Sequence, residues 1–93
     1  MDRGVMMGDL YWARRTSADG EQIYRDAVIE PLTLSVWLAG GTWCWEVRYQ
    51  RCLQTRSRQG TETSEVAARR AAVQAACRLF REWLARGERE LEV

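Results

Sequence analysis

Any metal or thiol chemistry of this chain would depend on its three cysteines, because the chain has no histidine. Cys44, Cys52 and Cys77 are odd in number and show no Cys-x-x-Cys spacing, so neither a zinc pair nor a redox pair is indicated. The lack of histidine removes the commonest zinc ligand and the commonest general base. We therefore expect no metal site and no cofactor, and thiols that act as small buried apolar groups.

The carboxylates that could serve acid–base catalysis are scattered, and nothing in the sequence pairs two of them: Asp9, Asp19, Asp26, Glu30 and Glu46. Gly40-Gly41 is typical of a hairpin turn and does not open a phosphate-binding loop. No serine or cysteine stands in a nucleophile motif. We predict that the protein is not an enzyme.

Arginine and tryptophan offer binding chemistry instead. All 14 basic residues are arginine, whose planar guanidinium suits phosphates and protein interfaces. The net charge is only +1, yet residues 48–58 carry four arginines and no acid. Trp37 falls on the side of a predicted strand opposite its aliphatic stripe, so we expect it to be at least partly exposed. The predicted partner-binding residues are Trp37, Arg48, Arg51, Arg56 and Arg58.

A sheet must position these side chains, because the hydrophobic period along residues 32–50 is two. Apolar residues alternate with others on both sides of Gly40-Gly41, which predicts a β-hairpin with one buried face. For residues 21–29 a short helix is the alternative to a strand. The predicted strands span 9–16, 22–29, 32–39 and 42–50, with a fifth over 53–58 in which Leu53 is the clearly apolar residue.

After the strands the period changes to about 3.6, which predicts a helix over 63–86. Thr63 or Ser64 can cap its first amides, and Gly87 can take the left-handed conformation that ends it. The large apolar side chains predict its buried stripe as Val66, Val73, Cys77, Phe80 and Leu84, flanked by Ala76 and Trp83. We expect that stripe to pack on the strand face formed by Trp43, Trp45, Val47 and Tyr49.

Together these elements predict an α+β fold, a two-layer sandwich in which an antiparallel sheet of four or five strands is packed by one long C-terminal helix. The 93 residues fit a single domain. We place it at 9–86, between a flexible N-terminus at 1–8 and a polar tail at 87–93. No apolar run approaches a membrane span and no signal-peptide pattern is present, so we expect a cytoplasmic protein.

The segment after the hairpin resembles the C-terminal half of a double-stranded-RNA-binding domain. The shared features are an arginine-bearing strand, Gly60-x-x-x-Ser64 and a helix with Ala68 and Ala72 four apart. That family places consecutive lysines after the serine, whereas this chain has Glu65-Val66. We therefore carry no RNA-binding residue over to this chain.

A second resemblance is one of general style. Gly41-x-Trp43-x-Trp45-x-Val47, combined with Thr63-x-Glu65 and an alanine-rich helix, resembles small proteins encoded by phages and prophages, among them anti-CRISPR-type inhibitors. The resemblance implies a phage-borne inhibitor that occludes a surface on a host defence complex.

We therefore expect a small non-catalytic protein that binds a macromolecular partner, either a protein or a ribonucleoprotein complex. The alternative is a nucleic-acid-binding protein that uses the basic segment from Arg48 to Arg58. A further alternative is a structural homodimer, joined by strand edges or by the Trp37 face. We expect no membrane partner.

Overall fold

The structure, a computed structural model, describes residues 10–51 and 54–92. Its elements are β1 Ala13–Thr16, β2 Ile23–Ile29, β3 Leu32–Ala39, β4 Thr42–Arg51, β5 Gln54–Glu62 and α1 Glu65–Glu92. The strands form an antiparallel sheet in chain order, and α1 packs over β3, β4 and β5. The predicted α+β two-layer sandwich is confirmed. The segment expected to be flexible, 1–8, lies outside the described residues.

The turn between β3 and β4 sets the register of the central hairpin. Ala39 pairs with Thr42, which leaves Gly40 and Gly41 as a two-residue turn. Their φ angles are 59° and 80°. A type I′ turn needs positive φ at both positions, and its twist matches that of the flanking strands. The resulting register puts the alternating apolar side chains of both strands on one face.

Residues 23–29 form a strand, and the helix kept as an alternative over 21–29 does not form. β2 lies between β1 and β3, so both edges of its backbone are paired. β5 is longer than the segment 53–58 predicted for it and continues to Glu62. It does so because its partner β4 continues in register, with Trp43 opposite Glu62.

The helix also runs further than expected. It passes Gly87 and ends at Glu92, so the described part of the predicted polar tail at 87–93 is helical. A glycine inside a helix costs only about 1 kcal/mol relative to alanine. The residues on either side are mostly good helix formers (Arg86 before it, Glu88 to Glu92 after it), which offsets that cost.

The core lies between α1 and the β3–β4 hairpin. Its centre is the cross-strand pair of Leu34 and Val47, both 0% exposed. Leu10 and Trp12, which precede β1, pack against the same cluster. The sheet residues buried around the pair are Ala27, Leu32, Val36 and Tyr49. The expected docking of the helix on the face with Val47 and Tyr49 is therefore confirmed.

The stripe predicted for the helix is correct at Val73 and at the flanking Ala76, which are buried, but wrong at its other described positions, because α1 packs mainly through its alanines. The side chains of Trp83 and Leu84 lie outside the described residues. Val66 is 64% exposed and Phe80 is 37% exposed, and the Cys77 side chain is exposed as well. Trp45 and Tyr49 of the sheet already fill much of the space between the layers. Methyl groups let the helix approach these large side chains closely, whereas Val66 and Phe80 lie on its exposed flank. The buried helix residues are Ala68, Ala72, Val73, Ala75, Ala76 and Leu79.

Ser64 caps the start of α1. Its hydroxyl oxygen accepts a hydrogen bond from the backbone N–H of Ala67 at 3.1 Å. Nearby, the guanidinium carbon of Arg69 lies 5.3 Å from the ring centroid of Trp12, a cation–π contact that ties the helix to the segment before β1.

Gly60 makes room for the largest core side chain. It pairs with Trp45 across β4 and β5, and a Cβ at position 60 would lie 2.6–2.7 Å from atoms of the indole ring. Such a distance is far inside van der Waals contact, so the ring can cross β5 only where there is no side chain.

Candidate binding surface on the uncovered face of the sheet

The face of the sheet opposite α1, which we call the open face, carries three central rows of side chains, with the pair Ala39 and Thr42 beyond them next to the turn. The first row crosses all the strands with Arg15, Tyr24, Trp37, Cys44 and Thr61. The second row is Ala13, Asp26, Ser35, Glu46 and Gln59. The third row is Val28, Thr33, Arg48 and Ser57. Within residues 10–51 and 54–92, no helix or strand lies over this face.

Three neighbours in the first row are stacked across the strands. The rings of Tyr24 and Trp37 have centroids 5.4 Å apart and planes inclined by 53°. The guanidinium carbon of Arg15 lies 4.0 Å from the centroid of the Tyr24 ring. Tilted aromatic pairs and stacked guanidinium groups are both favourable geometries. The open face therefore has an ordered arginine–tyrosine–tryptophan platform, half-buried at its two rings.

Asp26 holds the arginine end of this platform. Arg15 donates from Nε to Oδ2 of Asp26, and from Nη2 to Oδ1 at 3.4 Å. The hydrogen bond to Asp26 raises the pKa of Arg15 above its usual value, which keeps the guanidinium charged. Ring and carboxylate together fix its orientation, so less side-chain entropy remains to be lost on binding.

The charges of the open face are balanced. Arg48 lies 3.8 Å from Glu46, measured from Nε to Oε1, and Arg15 pairs with Asp26. Ser35 lies between Asp26 and Glu46 in the register and is only 3% exposed, although no described helix or strand lies over the sheet there. The described side chains of the open face thus carry two positive and two negative charges around a compact centre.

The sheet separates the binding residues that the sequence predicted. Trp37 and Arg48 share the open face, two rows or ~13 Å apart along the strand. Arg56 and Arg58 pair with Tyr49 and Val47, so they lie on the side of the sheet that α1 covers. Arg58 donates to Glu82 of the helix at 3.3 Å. The side chain of Arg51 lies outside the described residues.

Positive charge also collects on the solvent side of the helix. Arg70, Arg78 and Arg81 are exposed, and residues 66–81 contain no acid. The ion pairs of the described residues do not include these three arginines. This surface is separate from the open face because α1 and the core lie between them.

Sequence reasoning missed Arg15, Tyr24 and Asp26. Asp19-Gly20 is a typical turn-forming pair, but neither strand beside it alternates cleanly between apolar and polar residues. The signal that could have found them is the register: pairing outward from this turn places Arg15 opposite Tyr24.

Cys44 and Cys77 lie on different surfaces of the protein, and Cys52 lies outside the described residues. Cys44 is half-buried on the open face and Cys77 is exposed on the helix, so Cys77 is not the buried apolar group that the sequence predicted. Among the described residues, no group of three or more cysteines and carboxylates is placed to hold a metal ion. None of the described helices combines the length and the apolar character needed to cross a membrane.

Comparison of the chain with protein-family models, with curated proteins and with solved structures finds no match.

Proposed function

We propose that this chain is a small non-catalytic binding protein that docks a protein partner on its open face. The observation that carries the proposal is the stacked row of Arg15, Tyr24 and Trp37. Tryptophan, tyrosine and arginine are the three residue types most enriched among the residues that dominate protein–protein binding energy.

The core does not require these side chains. In a two-layer sandwich the face without a helix is typically polar, since nothing removes it from water. Here that face carries two aromatic rings, and Val28, two rows away on the same face, is 55% exposed. Apolar surface that adds nothing to the core and is held in a fixed geometry is typical of an interaction site.

The balance of charge favours a protein over a nucleic acid. Aromatic rings on a sheet can also stack bases, but nucleic-acid sites depend on an excess of positive charge to neutralise phosphates. Both arginines of the open face stand next to carboxylates, which would repel phosphates. A protein partner with both positive and negative groups can pair with the arginines and with the carboxylates, so it avoids this repulsion.

The resemblance to anti-CRISPR-type inhibitors gives this proposal a particular form, a phage-borne inhibitor that occludes a surface on a host defence complex. Its support is the ordered aromatic face formed by Tyr24 and Trp37. Such a protein needs affinity and shape alone, since it acts by covering a surface.

Nucleic-acid binding is the second candidate, and one observation favours it. Arg70, Arg78 and Arg81 form an exposed basic strip on α1 that no described acid neutralises. Binding through this strip would weaken steeply with salt, because phosphate neutralisation releases counterions. Replacing the three arginines with glutamine would abolish it and leave the open face intact.

Affinity capture from a lysate of the encoding organism, with and without nuclease, distinguishes the two candidates. Wild-type protein should retain a discrete protein or complex after nuclease treatment. Trp37→Ser should lose that protein, whereas Leu38→Ser should keep it, because Leu38 follows in the same strand and is 46% exposed on the opposite face. If nuclease abolishes protein capture in every variant, nucleic-acid binding by the basic strip would be the supported function.

A further inference from the structure

Among the described residues, no strand pairs with the outer edge of the last strand, β5. In the strand order β5 is terminal, and Ser57, Arg58, Gln59 and Thr61 are exposed. β5 spans nine residues without a proline, whereas β1 at the other edge spans four. Long strands with a free edge pair with another strand where their charges can be matched, so the charged residues of β5 decide which registers are allowed.

The backbone groups that point outward from β5 follow from the turn at Gly40-Gly41. A two-residue turn makes its flanking residues, Ala39 and Thr42, a hydrogen-bonded pair, and such pairs alternate along an antiparallel ladder. The odd-numbered residues of β4 therefore form the backbone hydrogen bonds to β5. Their partners in β5 are the even-numbered residues. Ser57, Gln59 and Thr61 thus direct their N–H and C=O groups away from the sheet.

One contact agrees with this assignment. The carbonyl oxygen of Ser57 accepts a hydrogen bond from Nη1 of Arg58 at 3.1 Å. A side chain can reach this carbonyl because it points to the rim of the sheet.

We infer that a second copy of this chain occupies this edge, with β5 of each copy paired antiparallel around a twofold axis at Gln59. In this register residues 56–62 of each copy face one another. Arg56 of each copy then lies opposite Glu62 of the other copy, so the interface contains this ion pair two times. Both residues lie on the same face of the sheet.

Charge selects this register over its neighbours. An axis at Ser57 would place Arg56 opposite Arg58 of the other copy, and an axis at Arg58 would place two Arg58 side chains together. Like charges directly opposite one another destabilise a strand pair. An axis at Gly60 would pair Arg58 with Glu62, but it shortens the ladder, and Arg58 already pairs with Glu82 of its own helix.

The dimer should be weak. Pairing of one strand from each copy buries less than the roughly 1,200 Å² of a stable interface, so we expect the dimer to form only at high protein concentration. Its sheet would be continuous, and the two open faces would lie side by side. The inference does not rest on the proposed partner: Trp37→Ser should leave the dimer unchanged.

Analytical ultracentrifugation of the full chain at protein concentrations from about 5 to 500 µM tests the inference. The mass should rise with concentration from 10.8 kDa towards twice that value. Arg56→Glu and Glu62→Arg should each weaken the dimer at least tenfold, and the double exchange should restore it to within threefold of wild type. Arg70→Glu makes the same charge change on the outer helix and should have no effect.

A mass that stays at 10.8 kDa at the highest concentration would overturn the inference. So would a double exchange that is no better than either single variant, provided that circular dichroism shows all three to be folded. Capture of a protein through the open face would be unaffected by either result.

Discussion

Trp37 of β3 lies against Tyr24 of β2, with ring centroids 5.4 Å apart, on the face of the sheet that the helix does not cover. The pair extends to Arg15, which stacks on the far side of the tyrosine. Rings placed in the core would stabilise the sandwich more, because burial of a large apolar side chain contributes about 1.5–3 kcal/mol. Their position on the open face is the observation on which the proposed binding role rests.

The two rings should be energetically coupled in the free protein. We expect a double-mutant cycle of Tyr24→Ala and Trp37→Ala to give a coupling of about 0.5–1.5 kcal/mol, because tilted aromatic pairs contribute this much beyond simple burial. Urea denaturation of the four proteins measures it. A coupling indistinguishable from zero would mean that the platform is not ordered before a partner binds.

Gly60→Ala should destabilise the protein by about 1–3 kcal/mol, because the new methyl group meets the indole of Trp45. The usual result of replacing a strand glycine with alanine is a small gain in stability, so the sign of the change is diagnostic. Chemical denaturation provides the measurement, with Gln59→Ala as the control in the same strand. In a Trp45→Leu background, Gly60→Ala should no longer be destabilising. If it still is, the loss of stability arises from the backbone at position 60 and not from contact with the indole.

Ser64→Ala should lower the free energy of unfolding by about 0.5–2 kcal/mol, the range found for loss of an N-cap side chain. The hydroxyl group of Ser64 satisfies the N–H of Ala67, which has no partner within the helix. Thr63→Ala is the matched control, and Ser64→Asp should retain most of the stability. Equal losses for Ser64→Ala and Thr63→Ala in thermal denaturation would show that the cap does not act as described.

The turn between β1 and β2 should give a pH-dependent signal. Hydrogen bonds from the Ser17 hydroxyl group and from the N–H of Glu21 lower the pKa of Asp19 below its usual 3.8. A carboxyl group whose pKa is lower when folded stabilises the fold above its unfolded pKa, and this stabilisation is lost as the pH falls through the folded pKa.

Carbon NMR of the carboxyl group measures this pKa directly. Ser17→Ala removes the first of the two donors and should move the Asp19 titration back towards its usual range. An unchanged titration midpoint in that variant would contradict the assigned cause.

The sequence predicted β3 and β4 well, because each buries one face and its alternation is clean. β3 has the predicted bounds of 32–39, and β4 is one residue longer than 42–50. The face of α1 could not be predicted in the same way. The helix carries two adjacent apolar stripes, one of alanines and one with Val66 and Phe80, and which one packs depends on how much space Trp45 and Tyr49 leave.

The candidate site was predictable only in part. The side of Trp37 follows from strand alternation, whereas the contribution of Arg15 and Tyr24 depends on the register across an irregular hairpin. Closeness in sequence suggested that Arg48 and Arg58 act together. A strand reversal between them puts them on opposite faces of the sheet, which only the pairing reveals.

The most direct test of the central claim is the Kd of the captured protein partner for wild type, Trp37→Ser and Leu38→Ser, measured by titration calorimetry. If the open face is the binding surface, Trp37→Ser should weaken binding at least ~30-fold, the loss of about 2 kcal/mol expected for a dominant interface residue. Leu38→Ser should stay within threefold of wild type. Equal affinity of Trp37→Ser and wild type would contradict the account.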